Sequence, residues 1–96
     1  MTNKNILIIE DESEIRELVQ ILLTRQGFHV TALGSVEEFR EWQGNHSEKT
    51  FDLVVLDWML PGESGFDFLK EFRQNPELKQ IPVIMVTAKA EPEEVV

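Results

Sequence analysis

The sequence predicts an α/β fold built on a parallel sheet, and three observations lead there. Short apolar runs at Asn5–Ile9, residues 53–56 and residues 81–86 are continuous rather than alternating, as in strands covered on both faces. Stretches with apolar residues at helical spacing lie between them. The runs end in polar groups, Glu10-Asp11, Asp57 and Thr87, at the rim where open parallel sheets bind ligands.

The elements follow in order. The first run, NILII, reads as a buried strand and ends in three acids, Glu10, Asp11 and Glu12. Ile15, Leu18, Val19, Leu22 and Leu23 then fall on one helix face, with Arg25 in the last turn and Gly27 as a stop. The acids suit the positive end of that helix dipole. Residues 28–33, FHVTAL, alternate, so this strand is expected at an edge. Ser35 caps a short helix with Val36 and Phe39 inward. Residues 43–50, QGNHSEKT, carry no apolar side chain and are expected to be a surface loop.

After the third strand, Pro61, Gly62 and Gly65 break the chain sharply, and Ser64 to Asp67 resembles a capping box. Phe66, Leu69 and Phe72 are expected to be the packed face of the next helix, which Asn75-Pro76 ends. Residues 81–86 form the fourth strand, with Pro82 tolerable near its start. Glu91-Pro92-Glu93-Glu94 looks like the first turn of a fourth helix, only begun when the sequence stops at Val96. Strict alternation of strands and helices with short connections implies right-handed crossovers.

A chain of 96 residues, 42% hydrophobic, is one domain with a core. The absence of cysteine excludes disulfides and thiolate metal sites. The formal net charge of −9 argues against nucleic acid or anionic membrane as a partner of this segment. The sequence has neither a membrane-span-length apolar run nor a signal-peptide pattern, so the cytoplasm is the expected location. His29 and His46 read as surface residues, one on the edge strand and one in the loop.

In such a sheet Glu10, Asp11, Asp57 and Thr87 share one rim despite their separation in sequence. Taken alone, Asp57 after a strand reads as a turn residue. Together, three carboxylates in one cleft repel one another, and a hard divalent cation removes the conflict. Few protein ligands, completed by water, suit Mg²⁺, and the lack of His and Cys disfavours zinc. A cation there would also offset charge on a phosphoryl group arriving at Asp57. The Thr87 hydroxyl could bond one of its oxygens, with Ala88 leaving room beside it.

IIEDE, LDWMLPGESG and VTA, in this order, resemble the receiver domain of two-component response regulators. The resemblance covers nearly the whole chain. It is most similar to receivers that precede a winged-helix DNA-binding domain, which is not in this sequence. It implies a flavodoxin-like sheet of strand order 2-1-3-4. It implies that Asp57 accepts a phosphoryl group from a sensor histidine kinase. Asp11, Asp57 and the main-chain carbonyl of Met59 are implied to bind Mg²⁺, with Glu10 acting mainly through water. Thr87 is implied to move toward the phosphate. A receiver is a phosphoacceptor that assists its own phosphorylation and dephosphorylation rather than an enzyme.

The family pattern also has a complete fourth helix, a fifth strand ending in Lys-Pro and a fifth helix, none of which this sequence contains. Lys89 is not at the position of the family's phosphate-contacting Lys. Residues 81–86 are then expected to be an exposed apolar edge. A missing face of even ~300 Å² would be worth about 7 kcal/mol. The chain is accordingly expected to form a homodimer or a strand- or helix-swapped oligomer. A competing reading is a truncated receiver that serves only as an association module. Aspartyl-phosphate phosphatases place a second Asp two residues after the first, where this chain has Met59. A nucleotide-binding flavodoxin-like protein would carry a Gly-rich loop after the first strand, and none follows here.

Overall fold

The computed structural model describes residues 4–46, 50–57, 60, 62 and 64–86. Four strands, β1 (Asn5–Ile9), β2 (His29–Leu33), β3 (Leu53–Asp57) and β4 (Val83–Val86), alternate with three helices, α1 (Ser13–Arg25), α2 (Val36–Asn45) and α3 (Gly65–Gln74). The sheet is wholly parallel, in the order β2-β1-β3-β4. This is the flavodoxin-like order expected from the sequence, with the alternating strand at an edge. The expected beginning of a fourth helix lies outside the described residues.

The order dictates the layers. From β1 the chain crosses first to β2 on one side, then to β3 on the other. Right-handed crossovers in opposite directions put α1 on one face of the sheet and α2 and α3 on the other. Register decides what each face buries. Leu7 stands beside Val54 and Ile9 beside Leu56. These four join Val36, Phe39, Phe51, Leu60, Phe68, Phe72 and Ile81 in one core under α2 and α3. The alternate residues Ile6 and Ile8 face the other way and are also buried.

Coverage on that second face thins away from α1. Ile8 is buried, its neighbour Val55 is half-buried, and Ile84 beyond it is 49% exposed. The α1 stripe behaves alike. Ile15, Val19 and Leu23 are partly covered, whereas Leu18, Ile21 and Leu22 are each at least half exposed. The helix is amphipathic as expected, yet its apolar face is wider than the surface it packs on.

Three local expectations are corrected. First, α2 continues through Asn45, so residues 43–45 are helical rather than loop. Trp42 explains this. Its ring lies 5.1 Å from Phe51 and 6.3 Å from Phe39, so helix must persist to deliver it. His46 closes the helix, stacked on Trp42 at 4.5 Å. Second, α3 buries Phe68 and Phe72 with Gly65, while Phe66 is 46% exposed and Leu69 is partly buried. Phe68 meets the Phe39 ring edge-on at 5.5 Å, and this contact with α2 fixes the rotation of the helix. Third, ladder pairing in the fourth strand begins at Val83. Pro82 lends only its carbonyl, to Val54 N–H, and Ile81 is held in the core before the strand starts.

Other signals act as expected. Ser35 Oγ accepts from Glu38 N–H and Ser64 Oγ from Asp67 N–H, each at 3.1 Å, capping α2 and α3. Gly27, at φ 93°, ends α1 in a conformation that favours glycine. Asn75 caps the C-terminus of α3. From α3, Arg73 donates to the Lys79 and Ile81 carbonyls at 2.8 and 2.7 Å, tying the following turn to the helix.

Candidate functional site

The site is built by register. Ile9 pairs with Leu56, so the next residue on each strand, Glu10 and Asp57, emerges side by side at the rim. Asp57 in turn pairs with Val86 on β4. Both carboxylates are buried, Glu10 at 2% exposure and Asp57 at 0%. Asp11, one residue past Glu10, is exposed. One carboxylate oxygen from each of Glu10, Asp11 and Asp57 lies within 4.8 Å of the others. This is the grouping expected from the sequence. Burying ionised carboxylates is costly without a compensating charge.

Glu10 is held from three directions. Its N–H donates to the Leu33 carbonyl on β2 at 3.0 Å. Its Oε2 accepts the Glu12 N–H at 2.8 Å. Its main-chain carbonyl accepts from Arg16 Nη1 at 2.8 Å. The acids at the start of α1 are therefore more than partners of the helix dipole. Glu12 occupies the N-cap position without a side-chain cap bond, and the Glu10 side chain engages its N–H instead.

On the other side of Asp57, Leu60 returns to the core, and Gly62 takes φ 79°, the left-handed region that a sharp turn needs. Gly65 is the first residue of α3 rather than part of the turn. Thr87, Ala88, Met59 and Pro61 lie outside the described residues, as does Lys89. Sequence reasoning passed over Arg16. The available signal was its place in the first turns of α1, where the dipole disfavours a cation.

The chemistry of the cluster fits a hard divalent cation. All three side chains offer carboxylate oxygens at a spread that one ion and its waters can bridge, and neither histidine nor cysteine is among them. No helix of the described residues is long and apolar enough to cross a membrane.

The sequence and the fold both have counterparts among known proteins. The family model for the response regulator receiver domain matches residues 6–96. The phosphate regulon transcriptional regulatory protein PhoB of Escherichia coli K12 is 39% identical over 91 residues, covering 95% of this chain and 38% of that protein. The chemotaxis protein CheY-3 of Vibrio cholerae is 38% identical over 94 residues, covering 98% of this chain and 71% of that protein. The crystal structure of the Mn²⁺-bound response regulator Rcp1 superposes with a TM-score of 0.76 at 32% identity, covering 96% of this chain and 70% of that one. The chain thus spans under two fifths of the length of the phosphate regulon regulator it matches.

Proposed function

The chain belongs to the response regulator receiver domain family, and on that premise we propose that it is a phosphoacceptor whose acceptor is Asp57. The supporting observation is the carboxylate cluster. Asp57 ends a central strand, fully buried, with oxygens of Glu10 and Asp11 within 4.8 Å. In this reading a sensor histidine kinase presents a phosphohistidine. A carboxylate oxygen of Asp57 attacks the phosphorus, the P–N bond breaks, a P–O bond forms, and the imidazole leaves with the electron pair.

Asp11 and Asp57, with the main-chain carbonyl of Met59, would hold a divalent cation, and Glu10 would act mainly through a bound water. When bound, the cation offsets negative charge on the phosphoryl oxygens. Mg²⁺ is the proposed physiological ion, and a similar response regulator, Rcp1, has an Mn²⁺-bound form. The Thr87 hydroxyl bonds a phosphoryl oxygen once Asp57 is modified. Phosphorylation adds about 1.5 to 2 negative charges at the rim, enough to draw a hydroxyl and a loop into new bonds. The chain assists its own phosphoryl exchange and is not otherwise an enzyme. By analogy with the phosphate regulon regulator, its output is control of transcription through a separate DNA-binding domain, in the cytoplasm.

Intact mass spectrometry tests the reading. Incubation with acetyl phosphate and Mg²⁺ is expected to add one phosphoryl group, and chelation of the metal to prevent it. No mass increase with metal and donor present would overturn the proposal.

A second reading rests on the exposed face of Leu18, Ile21, Leu22 and Ile84. These residues support self-association, as a homodimer or by exchange of a strand or helix. Sedimentation is expected to detect a concentration-dependent dimer that Leu22→Glu weakens. A dimer formed equally with and without phosphodonor and Mg²⁺ would favour an association module. A strictly monomeric chain would remove this reading.

A further inference from the structure

We propose that the exposed stripe of α1 pairs with the same stripe of a second copy of this chain, the two helices antiparallel. This rests on the self-association reading above and names its contact. Ile15, Val19 and Leu23 already give α1 a partly covered apolar side. Leu18, Ile21 and Leu22, exposed at 56%, 51% and 50%, form a second one that faces water.

Helix geometry puts Glu14, Leu18, Ile21 and Arg25 in one line. At 3.6 residues per turn they fall within a sector of about 60°. Their spacing of four, three and four residues is that of a coiled-coil seam. All four are exposed. The seam therefore has an acid at one end, a base at the other and two apolar residues between.

The midpoint between Glu14 and Arg25 is also the midpoint between Leu18 and Ile21. A two-fold axis through that point, perpendicular to the helix, sets Leu18 against the partner's Ile21. It sets Glu14 against the partner's Arg25, and each contact is made twice. Parallel helices would set like charges against each other at both ends. Leu22 flanks the seam and widens its apolar part. The surface is thus complementary to itself in one orientation only, as an isologous dimer requires.

The helix dipole accounts for an acid in the first turn and a base in the last. It does not account for Leu18 and Ile21, half exposed in line between them. The 13 residues of α1 make a helix about 20 Å long. A strip along it falls short of the ~800 Å² per partner of a standard interface, so the dimer is expected to be weak.

Charge reversal in the full chain, read by sedimentation equilibrium over a wide concentration range, tests the pairing. Glu14→Arg and Arg25→Glu are each expected to weaken the dimer about tenfold, because each turns two attractive contacts into repulsive ones. Mixing the two variants is expected to restore it, since every charged contact then joins opposite signs. The double variant Glu14→Arg/Arg25→Glu is expected to dimerise like the unaltered chain. Net charge alone predicts the other sign for Glu14→Arg, which makes a chain at −9 less negative. Both reversals oppose the helix dipole, but helix loss would not be repaired by mixing. Should one single reversal fail to fold, its counterpart and the double variant decide.

A dimer that neither reversal weakens overturns the antiparallel seam and leaves self-association through another surface standing. Weakening without rescue in the mixture does the same. A strictly monomeric unaltered chain overturns the seam and the self-association reading together. Thermal melts of Leu18→Glu then identify the occupant: a lower melting temperature places a segment of the same chain on the stripe, and an unchanged one leaves it to a different partner.

Discussion

Asp57→Asn is expected to melt about 5–15 °C higher than the unaltered chain in metal-free buffer, while taking up no phosphoryl group. The two halves have one cause. At 4.8 Å, the upper limit of the oxygen separations in the cluster, two unit charges repel by about 3.5 kcal/mol at an effective dielectric of 20, and by about 1 kcal/mol in water. Glu10 and Asp57 are both buried, so their repulsion lies toward the upper figure, whereas Asp11 is solvated. Removing one charge returns on the order of 1–3 kcal/mol. Each kcal/mol moves the midpoint of a domain this size by about 4–8 °C. Mg²⁺ should stabilise the unaltered chain and do so less for the variant, because a ligand stabilises only as far as it binds. Differential scanning calorimetry with and without Mg²⁺ measures both. A variant that melts lower in metal-free buffer would mean that repulsion is not what the cluster stores.

Phe68→Ala is expected to cost about 3–5 kcal/mol, a large part of the 5–15 kcal/mol typical of a whole domain. Phe68 is 2% exposed, meets Phe39 edge-on at 5.5 Å and Phe72 at 5.7 Å, and has the Arg40 guanidinium 6.0 Å over its ring. Its removal opens a cavity between α2 and α3 that rigid neighbours fill poorly. The Arg40–Glu71 pair also joins these helices, Arg40 Nη2 donating to both carboxylate oxygens of Glu71 at 2.8 and 2.9 Å. Its side chains are 41% and 60% exposed, so it contributes under about 1 kcal/mol and cannot compensate. Phe66→Ala, two residues away and 46% exposed, should stay within about 1 kcal/mol. Urea unfolding of both variants decides the matter; equal losses would put the wrong face of α3 in the core.

The contrast between these phenylalanines shows what the sequence carries. Strands were legible because a continuous apolar run allows little else: β1 has the bounds the residues suggested. The rim was legible for the same reason, since Glu10 and Asp57 are the first polar residues after such runs. Helix rotation was less so. Phe66, Leu69 and Phe72 are as well spaced as Phe68 and Phe72, and only Phe39, distant in sequence, chooses between them. The end of α2 was hidden because Trp42 is held by Phe51, across the loop. Arg16 was overlooked because its partner is a main-chain carbonyl, which no side-chain pattern announces.

The strand order also bears on how the protein is made. β1 leaves the ribosome before either of the strands it pairs with, yet it lies between β2 and β3. Its first residue bonds Asp52, which follows 47 residues later. At ordinary synthesis rates that is a wait of ~2–10 s, during which NILII has one neighbour at most. Glu10 and Asp11 likewise wait for Asp57, so no cation can template the early nascent chain. Closing so long a loop is slow. A chaperone that shelters short apolar segments would find its natural client in NILII, before the acids have anything to hold.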